Sequence, residues 1–384
     1  MTPTELPRRA LLLDDARPGG AALLFSAPED WIEARTPADV PAALGRIDRA
    51  VSDGSWIAGG FAFELGYLLE PRLRPLYRQP GDPLIAVGVY RAPETVDGRA
   101  MAAASSRGPR TALGAPQAGL NFGDYARAFA RVRDYIAAGD IYQVNLTMQM
   151  RASVQGSVLG LYGALRNRQP VAHGALVNLP DCPAILSRSP ELFFATDAQG
   201  RIETRPMKGT APRASNPAHD AALKLELQNS IKNRAENLMI VDLLRNDLSR
   251  VCQPGSVRVP QLYAIESYAT VHQMVSQVTG EMLPGTRPSD IFAALFPCGS
   301  ITGAPKIRAM EIIHELESGP RGIYCGAIGW LGPDGSAAFN VAIRTLQLAG
   351  DEARFGVGGG IVADSTPAGE YEEALWKARF AILA

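Results

Sequence analysis

Three runs of strand-forming residues lie near the end of the sequence: Gly322 to Leu331, Ala337 to Leu348 and Ala353 to Ala363. The turns between them, Gly332-Pro-Asp-Gly335 and Gly350-Asp351, are very short. A parallel pair needs a crossover of a dozen or more residues, so these runs pair as antiparallel hairpins. A doubly wound parallel sheet is thereby disfavoured. Within the last run, Gly356-Val-Gly-Gly-Gly360 lacks the final glycine of a dinucleotide fingerprint and leads onward as strand. Three adjacent glycines in a strand, Gly358, Gly359 and Gly360, instead predict a ligand pressed against bare backbone.

The same logic defines a hairpin in mid-chain. Ser189-Pro-Glu-Leu-Phe-Phe-Ala-Thr196 reads as one arm, Asp197-Ala-Gln-Gly200 as the turn, and Arg201 to Arg205 as the returning arm. Glu191 stands near the start of one arm and Lys208 just past the end of the other. Hairpin ends are neighbours, so this carboxyl and this amine can face one cavity. Gly209 lets backbone or ligand approach closely behind the lysine. Taken alone, a lysine at a strand end is a solvated charge.

Other segments carry weaker signals. Ala21 to Ser26, Trp56 to Tyr67 and Leu84 to Tyr90 read as strands, and Ala38 to Val51 as an amphipathic helix. Ala102 to Ala118 is a linker or loop by composition. Tyr125, Phe129, Val132 and Ile136 fall at helical spacing. In Ile141 to Met148, Gln143, Asn145 and Thr147 share one face, which is either a solvated sheet surface or a ligand-lined wall. A long helix is expected from Ala218 to Asp247, with Glu236 beside an apolar stripe; Lys232, four residues earlier, is an ordinary partner for it. Ala264 to Met282 reads as one or two strands with Tyr268, Thr270 and His272 on one face, and His272 by default is a satisfied structural histidine. Cys298-Gly-Ser-Ile-Thr-Gly-Ala-Pro-Lys306 turns into a helix. Pro305 is expected at its first position, with Thr302 and the free amides as an anion site. Its lysine follows proline and no Ser or Thr succeeds it, so it is not a triphosphate-binding loop. In the last helix, near Pro367, Glu370 and Glu373 share a face; alone they are an acidic first turn with a Glu373–Lys377 pair.

Composition narrows the function class. With 384 residues, 46% hydrophobic and 20% charged, the chain can bury a substantial core as one or two domains. A net charge of −1 gives no electrostatic reason to expect nucleic acid or an acidic membrane as partner. No apolar run approaches the roughly 18 residues of a bilayer span. The first residues make a poor signal peptide, and four scattered cysteines fit a cytoplasmic protein with reduced thiols. The four histidines form no zinc pattern.

Taken together, Gly139-Asp-Ile-Tyr-Gln-Val-Asn, Ser189-Pro-Glu, Arg205-Pro-Met-Lys-Gly-Thr, Ala235-Glu-Asn-Leu, Gly299-Ser-Ile-Thr-Gly-Ala-Pro-Lys, Tyr324-Cys-Gly, Ile343-Arg-Thr and Gly358-Gly-Gly-Ile-Val resemble the chorismate-utilising enzymes. This is the family of anthranilate, aminodeoxychorismate, isochorismate and salicylate synthases. The match is dense from about Asp124 onward and loose over the first hundred residues. It implies an α+β fold, an α/β sandwich of two large, mainly antiparallel sheets flanked by helices. Residues 1–115 are expected to pack on a chorismate-binding catalytic domain spanning residues 120–384, as one compact unit. The resemblance further implies Mg²⁺ held by Glu236 and Glu373 with Glu370 nearby, bridging to the ring carboxylate of chorismate. Arg344, Tyr324 and the amides of Gly358–Gly360 would take the enolpyruvyl carboxylate, while His272 and Thr302 would line the ring.

Two positions separate the family's branches. Isochorismate and salicylate synthases carry a water-activating lysine where this chain has Gln143, and glutamine cannot act as that base. At Lys208 the anthranilate branch carries alanine and the aminodeoxychorismate branch lysine, in Pro-Ile-Lys-Gly-Thr; Met207 replaces that isoleucine. The tryptophan feedback element Leu-Leu-Glu-Ser of anthranilate synthases would fall on Leu23-Leu-Phe-Ser26, without its acid. The resemblance thus implies exchange of the C4 hydroxyl of chorismate for an amine, with anthranilate formation as the alternative. Lys208 would be the nucleophile and Glu191 the acid, with ammonia supplied by a glutaminase partner.

Overall fold

The computed structural model describes residues 9–105, 111–178, 182–268 and 271–383. Thr270 and part of the 102–118 linker lie outside them. Among the described residues, two antiparallel sheets of 11 and 10 strands stack with helices around them, as the hairpin logic and the resemblance required. No helix among those residues is long and apolar enough to cross a membrane.

The spine of the first sheet is the long strand Gln143–Gln155, paired with Glu352–Ile361 from Ser153 opposite Glu352 to Val144 opposite Ile361. Beyond Met148 this strand alternates exposed and buried, as an outer-facing strand does. From Gln143 to Met148 both faces are buried. The Gln143, Asn145 and Thr147 face is therefore an interior wall and not a solvated surface. The second sheet contains the lysine hairpin, Leu192–Thr196 against Arg201–Arg205. Asp197 shapes its turn by accepting from the amides of Gln199 and Arg201, and Gly200 takes φ +80°. Phe194 stacks on Phe339 at 5.2 Å and Phe61 on Phe292 at 4.1 Å, so aromatic rings fill the layer behind the hairpin.

Strands from the first hundred residues extend both sheets. Ala10–Asp14 and Ala22–Phe25 join the first, while Asp30–Ala34, Trp56–Phe61 and Ile85–Tyr90 join the second. Trp56 to Tyr67 is not one strand: it stops at Phe61 and turns into the short helix Leu65–Leu69. The expected helix from Ala218 to Asp247 is two, Pro217–Asn229 and Ile231–Ser249. Ser230 breaks it with extended backbone and caps the second by accepting from the Asn233 amide. Ala264 to Met282 is likewise two strands, Arg258–Ser267 and Val271–Glu281, paired with each other.

One departure positions the site. Ala337 to Leu348 splits into Ala337–Val341 in the second sheet and Thr345–Ala349 in the first. The chain crosses between sheets at Ala342–Arg344, and Arg344 sits at φ +51°. For a residue with a Cβ, that conformation costs on the order of 1 kcal/mol. The crossover holds a strained arginine in the seam between the layers.

Glu64 lies at another seam. It is 2% exposed, and its two oxygens accept from the amides of Arg321 (2.6 Å) and Gly322 (3.0 Å). Burial pushes its pKa up to about 7 against the pull of those donors. A carboxyl raised in the folded state binds its proton more tightly there, so it costs stability as pH rises from the unfolded value near 4.5 through about 7. Across that window wild type should lose about 3 kcal/mol relative to Glu64→Gln, measured by urea unfolding at a series of pH values. Parallel pH profiles for the two proteins would contradict the burial of this charge.

Candidate active site

Lys208 lies on Met207–Pro212, a strand that pairs with Val271–Glu281 through Met207 opposite Val275 and Thr210 opposite Gln273. The strand breaks register between those pairs, at Lys208 and Gly209. Gly209 adopts φ +85°, and a Cβ there would come within 2.9 Å of Asn233. Its approach partner is thus the helix Ile231–Ser249. The half-buried lysine points its Nζ at the Ser300 carbonyl, 3.4 Å away.

Glu191 is 5% exposed, and its Oε1 is buried without a hydrogen-bond partner. The hairpin does bring the two groups within electrostatic reach, but they form no ion pair. Burial raises the Glu191 pKa, against the Ser300 hydroxyl and the charges of Lys208 and Arg344. Burial likewise lowers that of Lys208, although Glu191, Glu236 and Glu373 pull it upward. The pair is shifted toward a protonated acid and a neutral amine, the combination that an acid and a nucleophile need.

Ser300 was present in the Gly-Ser-Ile-Thr run but had no role assigned from sequence. It is 4% exposed; its carbonyl faces the lysine, and its hydroxyl, 3.3 Å from Cys298 Sγ, acts to lower the Glu191 pKa. Thr302 is fully buried. Its hydroxyl turns back on the carbonyls of Cys298 and Gly299, and its carbonyl accepts from the Asn145 amide at 2.8 Å. Pro305 precedes the helix Lys306–Leu316 and is not its first residue. Lys306 points to Asp247, 2.6 Å away, and so serves the core.

Gln143 is fully buried with both amide atoms unpartnered, beside Gly360: a Cβ on that glycine would lie 2.8 Å from Gln143 Cδ. A Cβ on Gly358 would strike the neighbouring strand at Leu146. One on Gly359 would lie 2.9 Å from Glu370 Oε2 and 3.5 Å from Lys377 Nζ. The glycine run therefore makes room first for the chain's own groups. Gly356 does the same for the ring of Tyr324, which is 5% exposed. His272 is 2% exposed with both ring nitrogens engaged, Nδ1 with Ser267 at 2.8 Å and Nε2 with Asp220 at 3.1 Å. Arg344 has no ion pair among the described residues, and burial lowers its pKa while Glu191 acts the other way. A desolvated guanidinium without a carboxylate is an anion receptor in waiting.

Glu236, Glu370 and Glu373 converge across two helices and act on one another. Burial raises Glu236 against the pull of Lys208 and Lys232, and the other two carboxylates add to the rise. Burial raises Glu370, whose Oε1 accepts from Ser365 at 2.6 Å, with Glu373 adding to the rise. For Glu373, burial is outweighed by Lys377, 2.8 Å away, and its pKa falls. Lys232 stands 3.9 Å from Glu236. Among the described residues no three such groups close into a ready-made cage. The set fits a hard cation that keeps several waters and takes only one or two carboxylates, which is how Mg²⁺ binds.

Among the described residues, two antiparallel sheets and the helices on them thus bring a lysine, an acid, an arginine without an ion pair and three carboxylates within electrostatic reach of one another. The family model for chorismate binding enzymes matches residues 11–383, and the chain belongs to that family. It is 45% identical over 267 residues to aminodeoxychorismate synthase component 1 of Klebsiella aerogenes, covering 70% of this chain and 59% of the relative. Aminodeoxychorismate synthase of Streptomyces pristinaespiralis is 39% identical over 359 residues, covering 89% and 50%. The match spans between 27% and 60% of the length of the curated relatives. Among solved structures, anthranilate synthase component I from Streptococcus pneumoniae superposes with a TM-score of 0.78 at 25% identity, over 98% of this chain and 92% of that one.

The lowered pKa of Lys208 has a direct consequence. The rate at which a small amine-directed reagent modifies Lys208, read by peptide mass, should titrate with a midpoint below the ordinary lysine value of 10.5. A midpoint at or above that value would show that its amine stays charged.

Proposed function

We propose that this chain converts chorismate and ammonia to 4-amino-4-deoxychorismate. The observation that carries the proposal is the placement of Lys208 and the buried Glu191 within electrostatic reach but without an ion pair, where burial lowers one pKa and raises the other; the resemblance adds that Gln143 occupies the position of a water-activating base. Direct displacement of a ring hydroxyl with retained geometry is difficult because hydroxide leaves poorly. The neutral Lys208 amine adds at C2, the ring double bonds shift, and the C4–O bond breaks as Glu191 gives its proton to the departing hydroxyl. Ammonia then adds at C4, the double bonds return, and the C2–N bond to Lys208 breaks. One hard step becomes two easier ones.

Arg344 and Tyr324, with the backbone at Gly358–Gly360, orient the enolpyruvyl carboxylate, and Gln143, Thr302 and His272 wall the ring. Glu236, Glu370 and Glu373 would hold Mg²⁺, which supplies positive charge for the ring carboxylate. The ammonia comes from a glutaminase partner, consistent with the "component 1" in the name of the Klebsiella relative, and the setting is the cytoplasm and the route to 4-aminobenzoate and folate.

With chorismate, Mg²⁺ and an ammonium salt, the purified chain should form the 4-amino product, identified by mass, without releasing pyruvate. Anthranilate as product would refute the proposal. Glu191→Gln should lower the rate by about 10²–10⁴-fold. Without ammonia, wild type should accumulate a chorismate-derived adduct on Lys208 that Lys208→Ala lacks; wild-type rates in that variant would end the covalent route. Glu236→Ala and Glu373→Ala should nearly abolish turnover with the thermal midpoint preserved, and full activity of either in EDTA would remove the metal from the scheme.

A further inference from the structure

Behind the site lies a buried charge cluster that the proposed chemistry does not use. Arg321 is 3% exposed. Its Nη1 donates to the Ile301 carbonyl at 3.0 Å and its Nη2 to the Asn145 carbonyl at 2.8 Å. Nε and Nη2 also form a two-point contact with Glu317, at 2.9 and 2.7 Å, and the guanidinium sits 4.5 Å over the Phe63 ring. Glu317 Oε1 in turn accepts from the amide and the hydroxyl of Thr147, at 2.9 and 2.8 Å. From the far side, Glu64 holds the backbone of Arg321 and Gly322, and Phe63 donates its amide to the Gly322 carbonyl at 2.8 Å.

The contacts have a direction. Arg321 touches carbonyls of two separate segments, the long strand Gln143–Gln155 and the turn Gly299–Ile301. Those segments meet where the Asn145 amide donates to Thr302 and where Ala304 pairs with Gln143. The turn presents the Ser300 carbonyl that meets Lys208, and the strand presents Gln143. A fixed fork with two carbonyl contacts sets the spacing of the segments in a way a single point charge does not. The cavity beside the cluster, bordered by Phe63, Glu64, Tyr67 and His314, measures about 20 Å³. That is room for one water and for no substrate.

We infer that Glu64, Arg321 and Glu317 form a positioning unit that fixes the Ser300 turn against the Gln143 strand, and so sets the geometry of Lys208 from behind. Arg321 touches no reacting atom; it acts through Ser300. Glu64 brings the first hundred residues into the catalytic geometry, which composition and motifs in that region did not disclose. The inference rests on the proposed use of Lys208, and its test has one arm that does not.

Arg321→Lys keeps a cation in place but loses the fork, and Glu64→Gln keeps the shape but puts a donor in place of one of the two oxygens that hold the Arg321 and Gly322 amides. In hydrogen exchange, both should lower protection of the Asn145 amide by about tenfold or more while amides of the lysine hairpin keep theirs. In steady-state kinetics, kcat should fall by about 10²-fold in Arg321→Lys, the scale of an ångström-level misplacement, with KM for chorismate little changed. Unchanged Asn145 protection would overturn the inference. So would lost protection with wild-type kcat, because the cluster would then be structural only. If wild type makes no 4-amino product, the proposed function fails, and the exchange arm alone decides whether the cluster sets this spacing.

Discussion

Removal of water from the seam between two sheets is the condition on which the site depends. Burial disfavours whichever form of a group is charged, so one environment moves an acid up and an amine down. Glu191 and Lys208 show both displacements, although their mutual attraction opposes each. An ion pair would have cancelled the effect. It is avoided because the amine turns to the Ser300 carbonyl and Glu191 Oε1 has no donor. The two groups are divided between a strand of the second sheet, which carries Lys208, and the short link that enters that sheet from the first, which carries Glu191.

That division explains which parts were legible in the sequence. The lysine hairpin was readable because turn chemistry and alternation are local: Asp197 and Gly200 fix the reversal wherever the hairpin packs. The final strands were readable for the same reason, and so was their antiparallel pairing. The crossover at Ala342–Arg344 was not, because Ala337–Val341 and Thr345–Ala349 continue one strand-like run and nothing local says that they enter different sheets. Ser230 hid in a long helical pattern because a capping serine mid-run resembles any helix surface serine. His272 shows the reverse: its ordinary reading as a satisfied histidine describes its two hydrogen bonds.

The glycine run and the brace behind it were illegible for a further reason. Gly358, Gly359 and Gly360 announced a close approach, but sequence could not say by what. Side chains from residues 143, 370 and 377 fill that role, all placed by tertiary packing. Glu317 and Arg321 stand at an ordinary i,i+4 spacing and Glu64 lies 257 residues before Arg321, so nothing local marks the three as one cluster. Their meaning lies in being buried together, where unsatisfied charge is costly and each partner is obligatory.

The same burial sets a limit on what the seam can bind unaided. Three carboxylates, Glu236, Glu370 and Glu373, stand against the cations Lys232, Lys377 and Arg344. Once Lys208 is neutral and Glu191 protonated, the states proposed for the chemistry, those groups leave no net positive charge to offer a dianion. A charged Lys208 would help binding but could not act as a nucleophile. On the proposed function, a divalent cation would resolve the conflict, since it would supply two positive charges and by its own field favour the neutral amine. On the proposed function, the acidic cluster and the desolvated lysine are therefore one design: the carboxylates recruit the charge that Lys208 must give up.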